Sequence, residues 1–228
     1  MADRYGETWV YESIVGAVPG IELSNRAAVA VQFLLFEALM VAVAAGYGLW
    51  DALLPGTAAI GVAAVSSAFM LDLGGRLRGV DVPDPYRRLL FGSSVEVVLG
   101  LLAYAGLLTY LFVYDPRVGG GLLAGLLGPE PPLPAVYLLL LVLWDVCYRI
   151  GTGWWAAVVA LWRSYAFEFD ADTAAVLRSA DRRNVAFALL QTGLLPFVAD
   201  HPLLALAVAG HVLATVAVAG LSARKLRS

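Results

Sequence analysis

The stretch Leu133–Trp155 reads LPAVYLLLLVLWDVCYRIGTGWW, and its reading decides the fold. No charge interrupts it between Leu133 and Trp144, and after Asp145 and Arg149 the apolar character continues to Trp162. A helix rising ~1.5 Å per residue needs about 20 such residues to cross the ~30 Å hydrocarbon core of a bilayer. Asp145 and Arg149 are four apart, so they share a helix face and can pair, which reduces the cost of holding either in lipid. Tyr148 and Thr152 extend that polar edge. The run from Leu133 to Trp162 exceeds one untilted span. Either the helix emerges near Trp154 and Trp155, whose indoles form an aromatic belt, and continues along the interface, or it breaks at Gly151-Thr152-Gly153 and turns its half-helix ends toward a ligand.

Working outward from this segment, the same test finds six spans, at about 27–50, 55–73, 89–114, 134–155, 184–199 and 202–222. The expected fold is all-α, a polytopic bundle of six transmembrane helices. Composition agrees: 61% of the 228 residues are hydrophobic and 14% charged, where a soluble domain carries roughly 25% charged residues. The fifth span is the shortest. Its polar start, Asp181-Arg182-Arg183-Asn184, reads as part of a helix that begins near Asp172. Between Asp115 and Pro134, the glycine-rich run 118–127 is too short to cross; it reads as a surface loop, with a re-entrant dip as the alternative. Residues 1–26 form a cytosolic N-terminal segment whose Trp9–Val18 stretch mixes aromatics with acids in a way that suits the inner leaflet. Residues 27–222 form the membrane domain and 223–228 a basic cytosolic tail.

Basic residues fix the orientation, because Lys and Arg accumulate in short cytosolic loops. Arg4, Arg26, Arg76, Arg78, Arg87, Arg88, Arg163, Arg178, Arg182, Arg183, Arg224, Lys225 and Arg227 fall on one side of the six-span arrangement, against Arg117 on the other and Arg149 inside a span. Both termini are therefore expected in the cytosol, and the protein in the cell (plasma) membrane as a multi-pass chain.

Several spans carry a polar or ionisable residue, and such groups cost upward of ~2.5 kcal/mol at the bilayer centre unless they face protein. Counting ~1.5 Å per residue places Glu37, Glu96, Asp145, Gln191 and His211 in one slab, roughly 10–16 Å from the cytosolic edge. Around Glu96 a small-residue stripe of Gly92, Ser93, Gly100 and Ala103 predicts close approach of a neighbouring helix. On the last span Ala207, His211, Ala214 and Thr215 share a face. Two readings compete. In the first, Glu37, Glu96, Asp145 and Arg149, with Gln191 and His211, line a path for a proton or small cation, which makes the chain a small transporter or channel. In the second, the same layer is interhelical glue in a non-catalytic scaffold or accessory subunit, satisfied by partners such as Ser66, Ser67 and Gln191. Small-residue stripes serve contacts within one chain or between chains, so a homo-oligomer or a partner membrane subunit suits either reading.

Other classes have less support. No lysine lies inside a span, which excludes a retinal Schiff base. The single cysteine, Cys147, excludes an internal disulfide or a CxxC pair. HExxH, GxSxG, phosphate-binding loops and Cys/His clusters are absent, so no catalytic residue, metal ligand, cofactor or nucleic-acid partner is expected. A lipid-directed hydrolase would need two neighbouring carboxylates, for which Glu96 and Asp145 are the only pair of note. The stretch 75–98, GRLRGVDVPDPYRRLLFGSSVEVV, together with 12–24, ESIVGAVPGIELS, resembles uncharacterised multi-pass membrane proteins of haloarchaea over most of the chain. That resemblance implies the membrane class and carries over no functional residue.

Overall fold

The computed structural model describes residues 8–9, 23–118 and 121–226, all helix, turn or loop with no strand among them. The N-terminal stretch expected on the leaflet lies outside the described residues except for Trp9. That side chain is buried in the bundle, where its Nε1 donates to the Leu90 carbonyl at 3.1 Å and its ring meets Phe91 at 4.9 Å.

Helix α1 (Asn25–Tyr47) starts at Ser24, whose Oγ accepts from the Ala27 N–H, and stops at Gly48 with φ +71°, a left-handed terminus that glycine adopts without cost. A single 3-10 turn, Trp50–Ala52, leads straight into α2 (Leu53–Arg78), so the two helices form an antiparallel pair. The third predicted span is interrupted. A short α3 (Asp84–Phe91) ends at Gly92, Ser94 takes φ +54°, and α4 (Val95–Thr109) begins only at Val95. Gly92 and Ser93 therefore belong to a turn and do not share a helical stripe with Glu96. The backbone continues as a π-helical turn, Tyr110–Tyr114, into α5 (Asp115–Val118).

The glycine-rich segment folds as a six-residue helix, α6 (Leu122–Leu127), between Gly121 at φ +43° and Gly128 at φ +80°. Leu127 and Leu126 pack on Ala52 and Leu49, at the end of the α1–α2 pair. Helix α7 (Leu133–Ala166) then runs 34 residues without a break at Gly151–Gly153, about 50 Å at 1.5 Å per residue. The glycines serve packing instead. A Cβ on Gly151 would lie 2.6 Å from the Gly100 amide nitrogen, and one on Gly100 would lie 2.9 Å from the Tyr148 Cα. Only hydrogen fits where α4 and α7 cross.

Helix α8 (Ala171–Leu190) is capped by Asp170, which accepts from the backbone N–H groups of Asp172 and Thr173. The helix expected to begin near Asp172 does so, and its charged first half is fully helical. It tightens into a 3-10 segment, Gln191–Val198, that contains Pro196, and α9 (Pro202–Lys225) completes the chain. Among the described residues, five helical stretches are long and apolar enough to cross a membrane: Asn25–Tyr47, Trp50–Arg78, Asp84–Val118, Leu133–Ala166 and Pro202–Lys225. Residues 184–199 are not among them, because the helix there carries the charges of 172–183 and its apolar end is 3-10. The segment 171–198 nonetheless runs from the arginine-rich end of the bundle to the opposite end, where His201 meets Asp115.

Two ends of the bundle differ in packing. The main core lies at the arginine-rich end, where Met70, Leu73, Leu77, Tyr86, Leu90, Val159 and Leu177 close on one another. At the far end smaller clusters form around Ala52, Leu127 and Ala135 and around Ile60, Leu138 and Val142.

Candidate functional site

The polar residues of the spans are distributed over several helix contacts. The most buried cluster begins with Asp145 and Arg149 on α7. Arg149 Nη2 donates to Asp145 Oδ1 at 2.8 Å, as the spacing of four predicts. Gln32 of α1 donates through Nε2 to Asp145 Oδ2 at 3.0 Å and accepts at Oε1 from Ser67 Oγ of α2 at 2.9 Å. Arg149 Nη1 also reaches the Met70 thioether at 3.5 Å. Three helices are thus tied by one chain of hydrogen bonds, with Gln32, Ser67, Asp145 and Arg149 all buried. In a low dielectric such a network is strong only when its members are satisfied, and here both Asp145 oxygens and both ends of the Gln32 amide are engaged. Ser67 was foreseeable as glue. Gln32 was missed, although a glutamine inside an otherwise apolar span is itself the signal.

Glu96 is fully buried on α4, one turn before Gly100 and on the face that meets α7. Glu37 bonds across a different contact. Its Oε1 accepts from Thr57 Oγ1 at 2.7 Å across the α1–α2 pair, while its Oε2 is buried without a hydrogen-bond partner among the described residues. Gln191 is buried at the point where α8 becomes 3-10, and no partner of its Oε1 lies among the described residues. On α9 the buried face runs through Val212, Thr215, Ala219 and Ser222, so the predicted face is rotated: Ala207 is exposed and His211 sits at its edge. The imidazole faces Thr215 Oγ1 at 3.4 Å and the Trp154 ring at 6.3 Å. Asp145 and Arg149 are thus brought together directly, while Glu37 and His211 are engaged by residues of other contacts.

A second buried cluster sits near the arginine-rich end. Arg163 of α7, read from sequence as a loop arginine, is buried instead. Its Nη2 donates to Asp181 Oδ1 at 2.6 Å and to the Leu177 carbonyl, and its Nη1 donates to the Tyr86 hydroxyl. Ser222 Oγ of α9 bridges Asp181 Oδ2 at 2.8 Å and the Ala160 carbonyl at 2.9 Å. Asn184 Nδ2 donates to the Gly153 carbonyl at 2.9 Å. Helices α3, α7, α8 and α9 are locked together by these contacts. Nothing in the sequence announces them, because the partners are 14 to 77 residues apart and follow no helical spacing.

The far end has its own clasp. Asp115 Oδ1 faces His201 Nδ1 at 2.8 Å and accepts from the Tyr110 hydroxyl at 3.2 Å, while Oδ2 accepts from the Leu122 N–H. This carboxylate joins the π-helical turn, α6 and the start of α9. Beneath it lies a cavity of about 230 Å³, walled by α1, α2, α4, α6, α7, α9 and the 3-10 segment. Every lining side chain is apolar apart from the Cys147 thiol, and none of the six candidate residues reaches it. No group of three or more His, Cys, Asp or Glu side chains among the described residues could hold a metal ion.

These features define an all-helical protein with five described helices long and apolar enough to cross a membrane, buried polar clamps and an apolar cavity. Residues 4–222 match DUF7530, a family of unknown function, and the chain belongs to that family. No curated protein and no solved structure matches the chain.

Proposed function

We propose that this chain is a non-catalytic membrane scaffold or accessory subunit whose buried polar residues fix helix register. The observation that carries this reading is the interhelical bonding of the Asp145 cluster: Arg149 and Gln32 each hold one carboxylate oxygen, and Ser67 donates to the Gln32 carbonyl. A path residue must exchange its partners for a passing ion, whereas the hydrogen bonds of Asp145 tie α7 to α1 and, through Gln32, to α2. The apolar cavity offers an ion no charged side chain and only the Cys147 thiol.

The scaffold crosses the cell membrane six times with both termini in the cytosol. Support comes from the clustering of arginines at one end and from the course of 171–198 between the two ends. Resemblance to haloarchaeal membrane proteins suits the same assignment. Exposed apolar faces on α4, around Leu101 and Leu102, suit lipid, a second copy or a partner subunit.

One observation favours a second reading, a small proton- or cation-linked transporter. Glu37, midway along α1, has one buried oxygen without a hydrogen-bond partner among the described residues, which leaves a polar atom inside the bundle for a passing ion to meet. The test is flux in proteoliposomes under an imposed pH gradient, comparing wild type with Glu37→Gln, Glu96→Gln and Asp145→Asn. Flux no greater than in protein-free liposomes, with Asp145→Asn losing thermal stability, supports the scaffold. Flux abolished by Glu37→Gln or Glu96→Gln in a still-folded protein replaces it with the transporter.

A further inference from the structure

We propose that the apolar cavity at the far end of the bundle is a binding site for one hydrocarbon chain of a membrane lipid. The inference rests on the membrane-spanning class alone and is independent of the choice between scaffold and transporter.

Three properties of the cavity select this occupant. Water is excluded by chemistry, since a buried water needs two to four polar partners and the wall presents only the Cys147 thiol. Size comes next. A dry apolar cavity of roughly 150 Å³ already holds benzene, and this one, at about 230 Å³, takes something longer than one ring. Access is lateral. Leu107 of α4, Ile150 of α7 and Leu204 and Val208 of α9 line the cavity while remaining half-exposed. Beside them Leu101, Leu102, Leu203 and Leu206 are exposed on the outer surfaces of α4 and α9. Both helices pack on α7, α4 through the Gly100–Gly151 crossing, and both contribute side chains to the cavity wall. A chain dissolved in the surrounding bilayer can enter there without crossing a polar barrier.

The far-end wall is built to stay in place. Helix α6 contributes Leu122, Leu123, Leu126 and Leu127 to the cavity, and the Asp115 carboxylate holds its first N–H while facing His201 at 2.8 Å. Polar bonds therefore close the end of the cavity and leave the inside apolar. The arrangement suits a lipid tail whose headgroup stays in the bilayer, because the cavity holds no cationic side chain, and no polar one besides the Cys147 thiol, for a carboxylate.

The test uses the full chain reconstituted in liposomes containing phosphatidylcholine with a diazirine midway along one acyl chain. After irradiation, label is mapped by mass spectrometry of peptides. The expected result is label on Leu138 or Val142, buried residues of the α7 cavity wall that bulk lipid does not touch. It should fall at least five-fold in Ala59→Phe and Val208→Phe, which fill the cavity from opposite walls, while label on exposed Leu102 is unchanged. Label confined to exposed faces in the wild type overturns the proposal even if both filled variants misfold. Undiminished label at Val142 in a folded filled variant also overturns it. Native mass spectrometry of the detergent-extracted wild type separates the sources: one retained phospholipid mass supports a lipid chain, whereas a retained free fatty acid overturns the lipid as its source.

Discussion

Helix α7 passes through two different interiors. From Asp145 to Arg163 it buries charged and polar side chains in close contact with its neighbours, and its glycines leave no room for a methyl group. From Ala135 to Ile150 another face of the same helix borders a cavity of about 230 Å³ lined by apolar side chains and the Cys147 thiol. The face with the costlier residues is the better packed. A buried charge forces its surroundings to supply partners at fixed distances, whereas an aliphatic wall accepts lipid or a void with little change in chemistry.

The largest effect should come from opening the polar face. Asp145→Ala leaves the Arg149 guanidinium buried without this carboxylate and should cost about 3–5 kcal/mol, measured by thermal or chemical denaturation in detergent. The double variant Asp145→Leu/Arg149→Met removes both charges and should recover most of that loss. A single variant within about 1 kcal/mol of wild type would end the view of this pair as a clamp.

Truncating matched leucines addresses the contrast directly. Leu177 is fully enclosed in the core at the arginine-rich end, and Leu177→Ala should cost about 2–5 kcal/mol. Leu138 already has a void on one side, so Leu138→Ala should fall at or below the low end of that range. Equal losses would mean that the two regions are packed alike.

Overpacking tests the crossing between them. Gly151→Ala brings a methyl within 2.6 Å of the Gly100 backbone, which cannot rotate away, and should cost about 1–3 kcal/mol. Gly61, on α2 with open space for 4 Å around the place an alanine methyl would take, is the control; Gly61→Ala should be neutral or stabilising by up to ~1 kcal/mol.

The smallest effect concerns pH at the surface. Hydrogen bonds from the backbone and side chain of Thr173 hold the Asp170 carboxyl below its ordinary range. A folded pKa below the unfolded one means stability that is complete above the unfolded value, near 3.9, and is lost as pH falls through the folded value. Hydrogen exchange at the first turn of α8 should therefore accelerate below about pH 4, and Asp170→Asn should flatten that response.

Legibility followed interaction range. Asp145 and Arg149 could be paired from sequence because a spacing of four brings side chains together on any helix. The close approach at Gly100 was foreseeable for the same reason, since a small residue on a polar face marks a helix contact. Gly92 and Ser93 misled because the stripe presumes one unbroken helix, and Ser94 interrupts it. Arg163 misled because an arginine near a span end ordinarily marks a cytosolic loop, whereas Asp181, Tyr86 and Ser222 draw this one into the bundle.

By itself the sequence determined which segments are apolar enough to face lipid and where along the chain the arginines fall. Apolar runs of span length have few soluble alternatives, and the distribution of arginines along the chain depends on no tertiary contact. Only the tertiary structure decided which polar groups meet, that α7 continues through its glycines, and where the cavity lies. Hydropathy records a residue's preference for lipid or water, but a hydrogen bond between Gln32 and Asp145, 113 positions apart, depends on the rotation and depth of two helices, and these are set by the packing of the whole bundle.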